Sequence, residues 1–158
     1  MKIEPPERAR LNQLADTAGR ELEHLQITTG RLFAVPFTAD ELEERCRDVD
    51  FAERMDAFVA RFGRLQDLLG DKLLPAWLRA MQEPPSTVME MLDRAEKLGL
   101  LRSADEWVAL RKLRNRMVHE YLWRYADLHG ALMAARDGVE ALSYAAQRLT
   151  AKVRLLDD

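Results

Sequence analysis

Three side chains suited to handling protons and phosphate lie close together in the sequence "RNRMVHEY", residues 114–121. Arg114 is followed directly by Asn115, and His119 comes one helical turn after Asn115. Histidine transfers protons near neutral pH, and the planar arginine side chain donates paired hydrogen bonds to phosphate oxygens. An asparagine one turn from the histidine could orient the imidazole or contact a phosphate oxygen. The segment therefore predicts proton transfer and charge stabilisation at a phosphate group.

Residues 111–125, "RKLRNRMVHEYLWRY", have the pattern of an amphipathic helix. With Leu110 set at 0° and each residue advancing about 100° around the helix axis, one apolar stripe extends about 80° to either side of Leu110. Its members are Trp107, Leu110, Leu113, Met117, Val118 and Tyr125. Arg114 falls at the edge of this stripe, at about 40°, with Tyr121 at about 20°. A charged group in such a position needs a partner or a water-filled cleft, so we expect Arg114 to have one.

The opposite face of the same helix predicts an interface with another subunit. His119 falls at about 180°, with Leu122 and Trp123 at about 120° and 220°. A tryptophan and a leucine beside a histidine are unusual on a solvent-facing helix and are typical of a protein interface. Arg114 and His119 diverge by about 140°, which makes it difficult for one helix to bring both to a small group. We therefore expect a dimer, with Leu122 and Trp123 at its interface.

The charge of the chain is locally uneven. The net charge is −3, from 24 basic and 27 acidic residues, so the whole chain lacks the excess of a strongly basic nucleic-acid-binding domain. The basic residues Arg111, Lys112, Arg114, Arg116 and Arg124 nevertheless share fourteen positions with a single acid, Glu120. Any contact with nucleic acid must be local, and Arg111 and Arg116 are candidates for substrate binding.

The elements that must position these residues are predicted to be helices. The 158 residues suffice for one domain, 1–158, and the 47% hydrophobic and 32% charged composition with seven glycines and six prolines favours helix. Proline, glycine and capping residues divide the chain into about five helices. These run over about 7–30, 39–81, 87–99, 103–125 and 128–153, with a bend near 48–50 in the second. We expect an all-α, up-and-down helical bundle.

The chain has no sequence signal for secretion, membrane insertion or metal binding. Its N-terminus "MKIEPPERAR" lacks the apolar region of a signal peptide, and no apolar run is long enough for a membrane span. We expect a cytoplasmic protein with no membrane partner. Cys46 is the single cysteine and the three histidines are scattered, so neither an intramolecular disulfide nor a metal site is expected. No cofactor is implied.

The segment "RNRMVHEY" resembles the signature of the HEPN superfamily of helical bundles. That signature is an arginine, usually followed by a polar residue, and a histidine four to six residues further on; here these are Arg114, Asn115 and His119. With Tyr121 two residues after His119, the motif resembles that of the HepT branch. HepT proteins are toxins that pair with a minimal nucleotidyltransferase antitoxin. The same spacing recurs at Arg124 and His129, but without the polar residue and the tyrosine.

The resemblance implies a HEPN-like fold and a metal-independent endoribonuclease that acts on RNA as a homodimer. Arg114, Asn115 and His119 would then be catalytic. Tyr121 would be the position at which the nucleotidyltransferase antitoxin places AMP. Such a group adds negative charge and bulk beside Arg114 and would block an anionic substrate. The stretch "RFGRLQD", with Arg64, Gln66 and Asp67, is also similar to HepT sequences, but the sequence assigns these residues no role.

Two other hypotheses stay open at the level of sequence. The chain could be a non-catalytic HEPN accessory protein that binds nucleotide or substrate for a nucleotidyltransferase, which its acidic net charge allows. It could also be a structural dimerisation bundle in which Arg114 covers apolar surface with its stem and Tyr121 is a core tyrosine. The ribonuclease hypothesis is favoured because arginine, asparagine and histidine all occur at the required spacing.

Overall fold

The structure is a computed structural model that describes residues 2–83, 87–119 and 124–157. Over these ranges the chain is helical and contains no strand, which confirms the predicted all-α class. The α-helices are α1 (Pro5–Leu32), α2 (Ala39–Arg45), α3 (Val49–Asp67), α4 (Leu74–Ala80), α5 (Val88–Lys97), α6 (Ala104–His119) and α7 (Tyr125–Arg154). A π-helix (Leu68–Leu73) joins α3 to α4, and a 3-10 turn (Leu155–Asp157) follows α7.

The core is formed where α1, α3 and α7 pack against one another. Each helix buries an apolar stripe whose residues recur mostly at spacings of three and four. The stripe of α1 comprises Leu11, Leu14, Ala18, Leu22 and Leu25; that of α3 comprises Phe51, Met55, Phe58, Phe62 and Leu65; that of α7 comprises Leu132, Val139, Leu142, Ala146 and Leu149. α6 lies against both α3 and α7 and is thereby held at the side of this core.

The helix ends follow the capping residues of the sequence. Thr38 and Glu41 form a complete capping box at the start of α2, since each side chain bonds the other residue's backbone N–H. Ser103 accepts a hydrogen bond from the backbone of Glu106 at the start of α6, while the Glu106 carboxylate pairs with Arg102. Gly99, with a φ of 74°, follows the end of α5 in the left-handed conformation that glycine adopts without strain.

The predicted second helix is divided into three α-helices. The bend expected near 48–50 is a break, because Asp48 accepts a hydrogen bond from the backbone of Asp50 and begins α3 as a new helix. Further on, the π-helix that contains Gly70 lies between Asp67 and α4, whose second residue is Pro75. Its last bond runs from the Leu74 N–H to the Leu69 carbonyl, one residue longer than an α-helical bond.

The helix that carries the candidate site ends earlier than the sequence predicts. α6 stops at His119, and Tyr125 is the first residue of α7 rather than part of the α6 stripe. Trp107, Leu110 and Met117 are buried as expected, whereas Val118 and Tyr125 are both 41% exposed, so their assignment to the core was wrong. The cause lies at Arg124, whose extended backbone (φ −145°, ψ 120°) precedes α7, so the angular pattern of α6 does not extend to residue 125.

The described helices include none that is long and apolar enough to cross a membrane.

Phe58 offers a direct test of this core. Its ring is fully buried and meets Phe33 edge to face, with the ring centroids 5.3 Å apart. We expect Phe58→Ala to lower the free energy of unfolding by about 3–5 kcal/mol, because it removes buried apolar surface and leaves a cavity. Urea denaturation measures this change, with the exposed Val88→Ala as the control that should alter stability little. A loss of under about 1 kcal/mol would contradict the packing of α3 described here.

Candidate functional site

Two ion pairs join α6 to the end of α3 and to the π-helix that follows it. An Asp67 carboxylate oxygen lies 2.9 Å from Nη2 of Arg114, and one of Asp71 lies 3.0 Å from Nη1 of Arg111. Asp67 comes before Asp71 in the sequence, whereas its partner Arg114 comes after Arg111, the partner of Asp71. The two helical segments therefore run antiparallel along this contact. Two arginines of the locally basic segment, Arg111 and Arg114, are therefore each paired with a carboxylate.

Arg114 is held from three directions. Its Nη2 donates to Asp67, its Nη1 donates to the side-chain oxygen of Asn115 at 3.2 Å, and its stem lies against the backbone of Gly63. A Cβ atom placed on Gly63 would be 2.8 Å from Nε of Arg114 and 3.2 Å from its Cγ. The Nε atom is buried and has no hydrogen-bond partner among the described residues. The side chain as a whole is 32% exposed, so its tip still reaches solvent.

This arrangement provides the partner that the sequence requires for Arg114. A guanidinium carries five N–H donors, of which Nε–H is buried and one on each Nη is used by Asn115 and Asp67. One N–H on each Nη has no partner among the described residues. Two such donors in one plane match two oxygens of a phosphate, which is the recognition that arginine provides best.

The structure does not bring His119 to Arg114. His119 is the last residue of α6 and is exposed, and its imidazole makes no hydrogen bond to another described residue. Asn115 is also exposed, and its side-chain oxygen contacts Arg114 rather than the imidazole. Within this chain the site therefore consists of a fixed arginine directed toward α3 and a solvent-exposed histidine at the end of α6.

The two candidate substrate-binding arginines differ in their surroundings. Arg111 is tied to Asp71 through both Nη atoms, at 3.0 and 3.4 Å. Arg116 is exposed and forms no ion pair with any residue that the structure describes. It lies on a groove of about 390 Å³ between the end of α6 and the start of α7, together with Met117 and Asp127. Arg116 is thus the more available of the two for an anionic ligand.

Three of the predicted functional residues fall outside the described part of the chain. Tyr121, the predicted site of AMP transfer, and Leu122 and Trp123, the predicted dimer interface, all belong to residues 120–123. Their assignments stay predictions.

Gly63 and Asp71 were missed as site residues, and Asp67 was noted without a role. Together they follow a spacing of four, Gly63, Asp67 and Asp71, which places them on one side of a helix. This spacing is visible in "RFGRLQDLLGD". It identifies a site only once the helix that packs against these residues is known. The other two residues of the HepT-like stretch have structural roles: Arg64 pairs with Glu21, and the buried Gln66 donates to the backbone carbonyl of Trp107.

Other reactive groups lie apart from this site. No group of three or more His, Cys, Asp or Glu residues in the described ranges is arranged to hold a metal ion. Burial raises the pKa of the Cys46 thiol above its ordinary value, and the nearby Asp56 carboxylate raises it further, so its reactive thiolate form is disfavoured. His129 contacts the backbone carbonyl of Phe37 at 3.0 Å and packs on its ring, which is a structural role.

No protein-family model, curated protein or solved structure compared with this chain matches it. Its function is therefore inferred from the chain's own residues and from the resemblance of its motif.

The ion pair between Arg111 and Asp71 is expected to be weak. Both side chains are about half exposed, and exposed pairs typically couple by about 0.2–1 kcal/mol. A double-mutant cycle with Arg111→Ala and Asp71→Ala, followed by urea denaturation, measures this coupling. A value within that range means that a phosphate could displace Asp71 from Arg111 at small cost. Coupling above about 2 kcal/mol would show that Arg111 is a structural residue instead.

Proposed function

We propose that this protein is a HepT-like endoribonuclease of the HEPN type, with Arg114 and His119 as its catalytic residues. The observation that supports the proposal best is the state of Arg114, which is fixed at its stem and keeps one N–H on each Nη for a ligand. The side chain is 32% exposed, so these donors can reach a phosphate from solvent. The exposed His119 on the same helix supplies the group for proton transfer.

The proposed reaction uses the nucleophile that RNA itself carries. His119 takes the proton of a ribose 2′-hydroxyl, whose oxygen attacks the adjacent phosphorus, and Arg114 stabilises the added negative charge on the phosphate oxygens. The bond to the 5′-oxygen then breaks, and that oxygen takes up a proton from a second imidazolium or from water. The products are a 2′,3′-cyclic phosphate and a 5′-hydroxyl. Asn115 contributes by orienting Arg114, in agreement with their hydrogen bond.

A homodimer would bring together groups that one protomer keeps apart. Arg114 faces α3, whereas His119 is exposed at the helix end, so a second copy could present its histidine to the arginine of the first. Apolar surface near His119 supports this arrangement. Val118 is exposed and lines a groove of about 280 Å³ together with Val59 and Leu128. Covering such a surface is a common driving force for association.

The regulatory part of the proposal concerns Tyr121. A minimal nucleotidyltransferase antitoxin would transfer AMP to this hydroxyl two residues after His119. The added phosphate would compete with RNA for Arg114 and would occupy space beside it. Intact-mass analysis of protein produced with and without its antitoxin measures the modification, and Tyr121→Phe is the control that should not gain the mass of an AMP group.

Cleavage of a short RNA by the unmodified protein, in the presence of a metal chelator, tests the enzymatic proposal. We expect His119→Ala to lower kcat by roughly 10²–10⁴-fold, because the group that transfers the proton is lost. Arg114→Lys keeps the charge but loses the planar pair of donors, so we expect a fall of roughly 10-fold or more. The products should carry 2′,3′-cyclic phosphate and 5′-hydroxyl ends.

Two controls make this experiment decisive. His24→Ala removes another exposed histidine, on α1, and should leave cleavage unchanged. An RNA with a single 2′-deoxy residue at the cleavage position should resist the wild-type protein, because it lacks the nucleophile. If the unmodified wild type cleaves no RNA but binds a nucleotidyltransferase, the non-catalytic accessory function is the better description of the protein.

A further inference from the structure

We propose that Gly63 and Asp67 are positioning residues that hold Arg114 in the orientation needed for its phosphate contact. The proposal rests on the ribonuclease function proposed above. It concerns the Arg114 socket, which we define as Gly63 and Asp67 of α3 together with Asn115 of α6. Neither Gly63 nor Asp67 would touch the substrate in this view; both would act through the arginine.

Gly63 provides the space through which the arginine stem passes. It lies within α3, where a glycine lowers helix stability compared with alanine, so its presence calls for a reason in packing. That reason is the contact with Arg114, whose Cγ, Cδ and Nε all lie within 3.6 Å of the point where a Cβ would be. Any larger residue at this position would occupy the path of the arginine. By comparison, a Cβ on the helical Gly19 would meet no atom within 4 Å.

Asp67 fixes the tip of the same side chain. Gly63 and Asp67 are one turn apart on α3, so the stem and the tip of Arg114 are held by neighbouring positions of one helix. Asn115 holds the other Nη from α6. With both ends constrained, the two N–H groups that no described residue accepts keep a defined direction. A pre-oriented donor pair contributes more to a transition state than a mobile one, because no ordering is needed during the reaction.

The Asp67 carboxylate could instead act as an inhibitor that competes with phosphate for Arg114, and the two roles predict opposite results. As a positioning residue, Asp67 raises kcat, and its replacement by alanine lowers kcat. As a competitor, it weakens substrate binding and catalysis, and its replacement raises kcat/KM. The geometry favours positioning, because Asp67 takes one N–H of Nη2 and leaves the other.

The first variant is Gly63→Ala. The added methyl group would clash with the flexible stem of Arg114 rather than with backbone, so the cheapest response is displacement of that side chain. We expect kcat for RNA cleavage to fall roughly 10- to 100-fold, as misplacement of a catalytic group by about 1 Å commonly does, with KM nearly unchanged. Gly19→Ala is the matched control, since it makes the same substitution in a helix with open space.

The second pair of variants concerns Asp67. Asp67→Ala removes the acceptor for Nη2 and should lower kcat to a similar degree without raising KM. Asp67→Asn keeps an oxygen at the same place and should restore most of kcat, although it removes the charge. These variants change a partly exposed side chain and are expected to fold even if Gly63→Ala does not.

A spectroscopic measurement tests the socket independently of cleavage. The buried Nε–H of Arg114 should give an NMR signal that exchanges slowly with water, assigned by its loss in Arg114→Lys. We expect this signal to shift and to exchange faster in Gly63→Ala and Asp67→Ala, and to stay unchanged in Gly19→Ala. An unchanged Arg114 signal and kcat in Gly63→Ala, or a rise of kcat/KM in Asp67→Ala, would overturn the proposal. If the wild type cleaves no RNA, the proposed function fails, while the NMR result still decides whether the socket exists.

Discussion

The apolar stripe of α3 has to be buried, and the arrangement of the other helices follows from this requirement. Phe58, Phe62 and Leu65 are completely removed from solvent, and α3 packs against α1, α6 and α7. Burial of this much aromatic and aliphatic surface is the largest favourable contribution available to a domain of this size. Once α1 and α7 cover that side, the flank of α3 marked by Gly63 and Asp67 is left for α6.

Electrostatics then determines how α6 can lie on that flank. Arg114 enters the contact between the two helices, and a guanidinium there must be paired to offset the water it loses. Asp67 supplies the countercharge, while the absence of a side chain at Gly63 supplies room. The partners remain partly exposed, at 32% for Arg114 and 38% for Asp67, so the pair orients the side chain more than it stabilises the fold.

The sequence predicted the parts of this structure that depend on local patterns. The buried stripes of α1, α3 and α7 follow from apolar spacing, and the starts of α2 and α6 follow from capping residues. The end of α6 was placed wrongly because the angular pattern continues by chance past His119, to Tyr125. Arg114 could be recognised as needing a partner, but Asp67 could not be chosen. The two residues are separated by 47 positions, and their contact depends on which helices pack together.

The close packing of Arg114 on Gly63 also constrains how positions 63 and 114 can change during evolution. A lineage that replaced Gly63 with a bulkier residue while Arg114 remained would have to move one helix away from the other, and the core beneath them resists such a movement. Loss of the arginine first would remove the obstacle. Positions 63 and 114 should therefore change together, with the arginine lost before the glycine is replaced. A glycine at position 63 should then accompany an arginine at position 114.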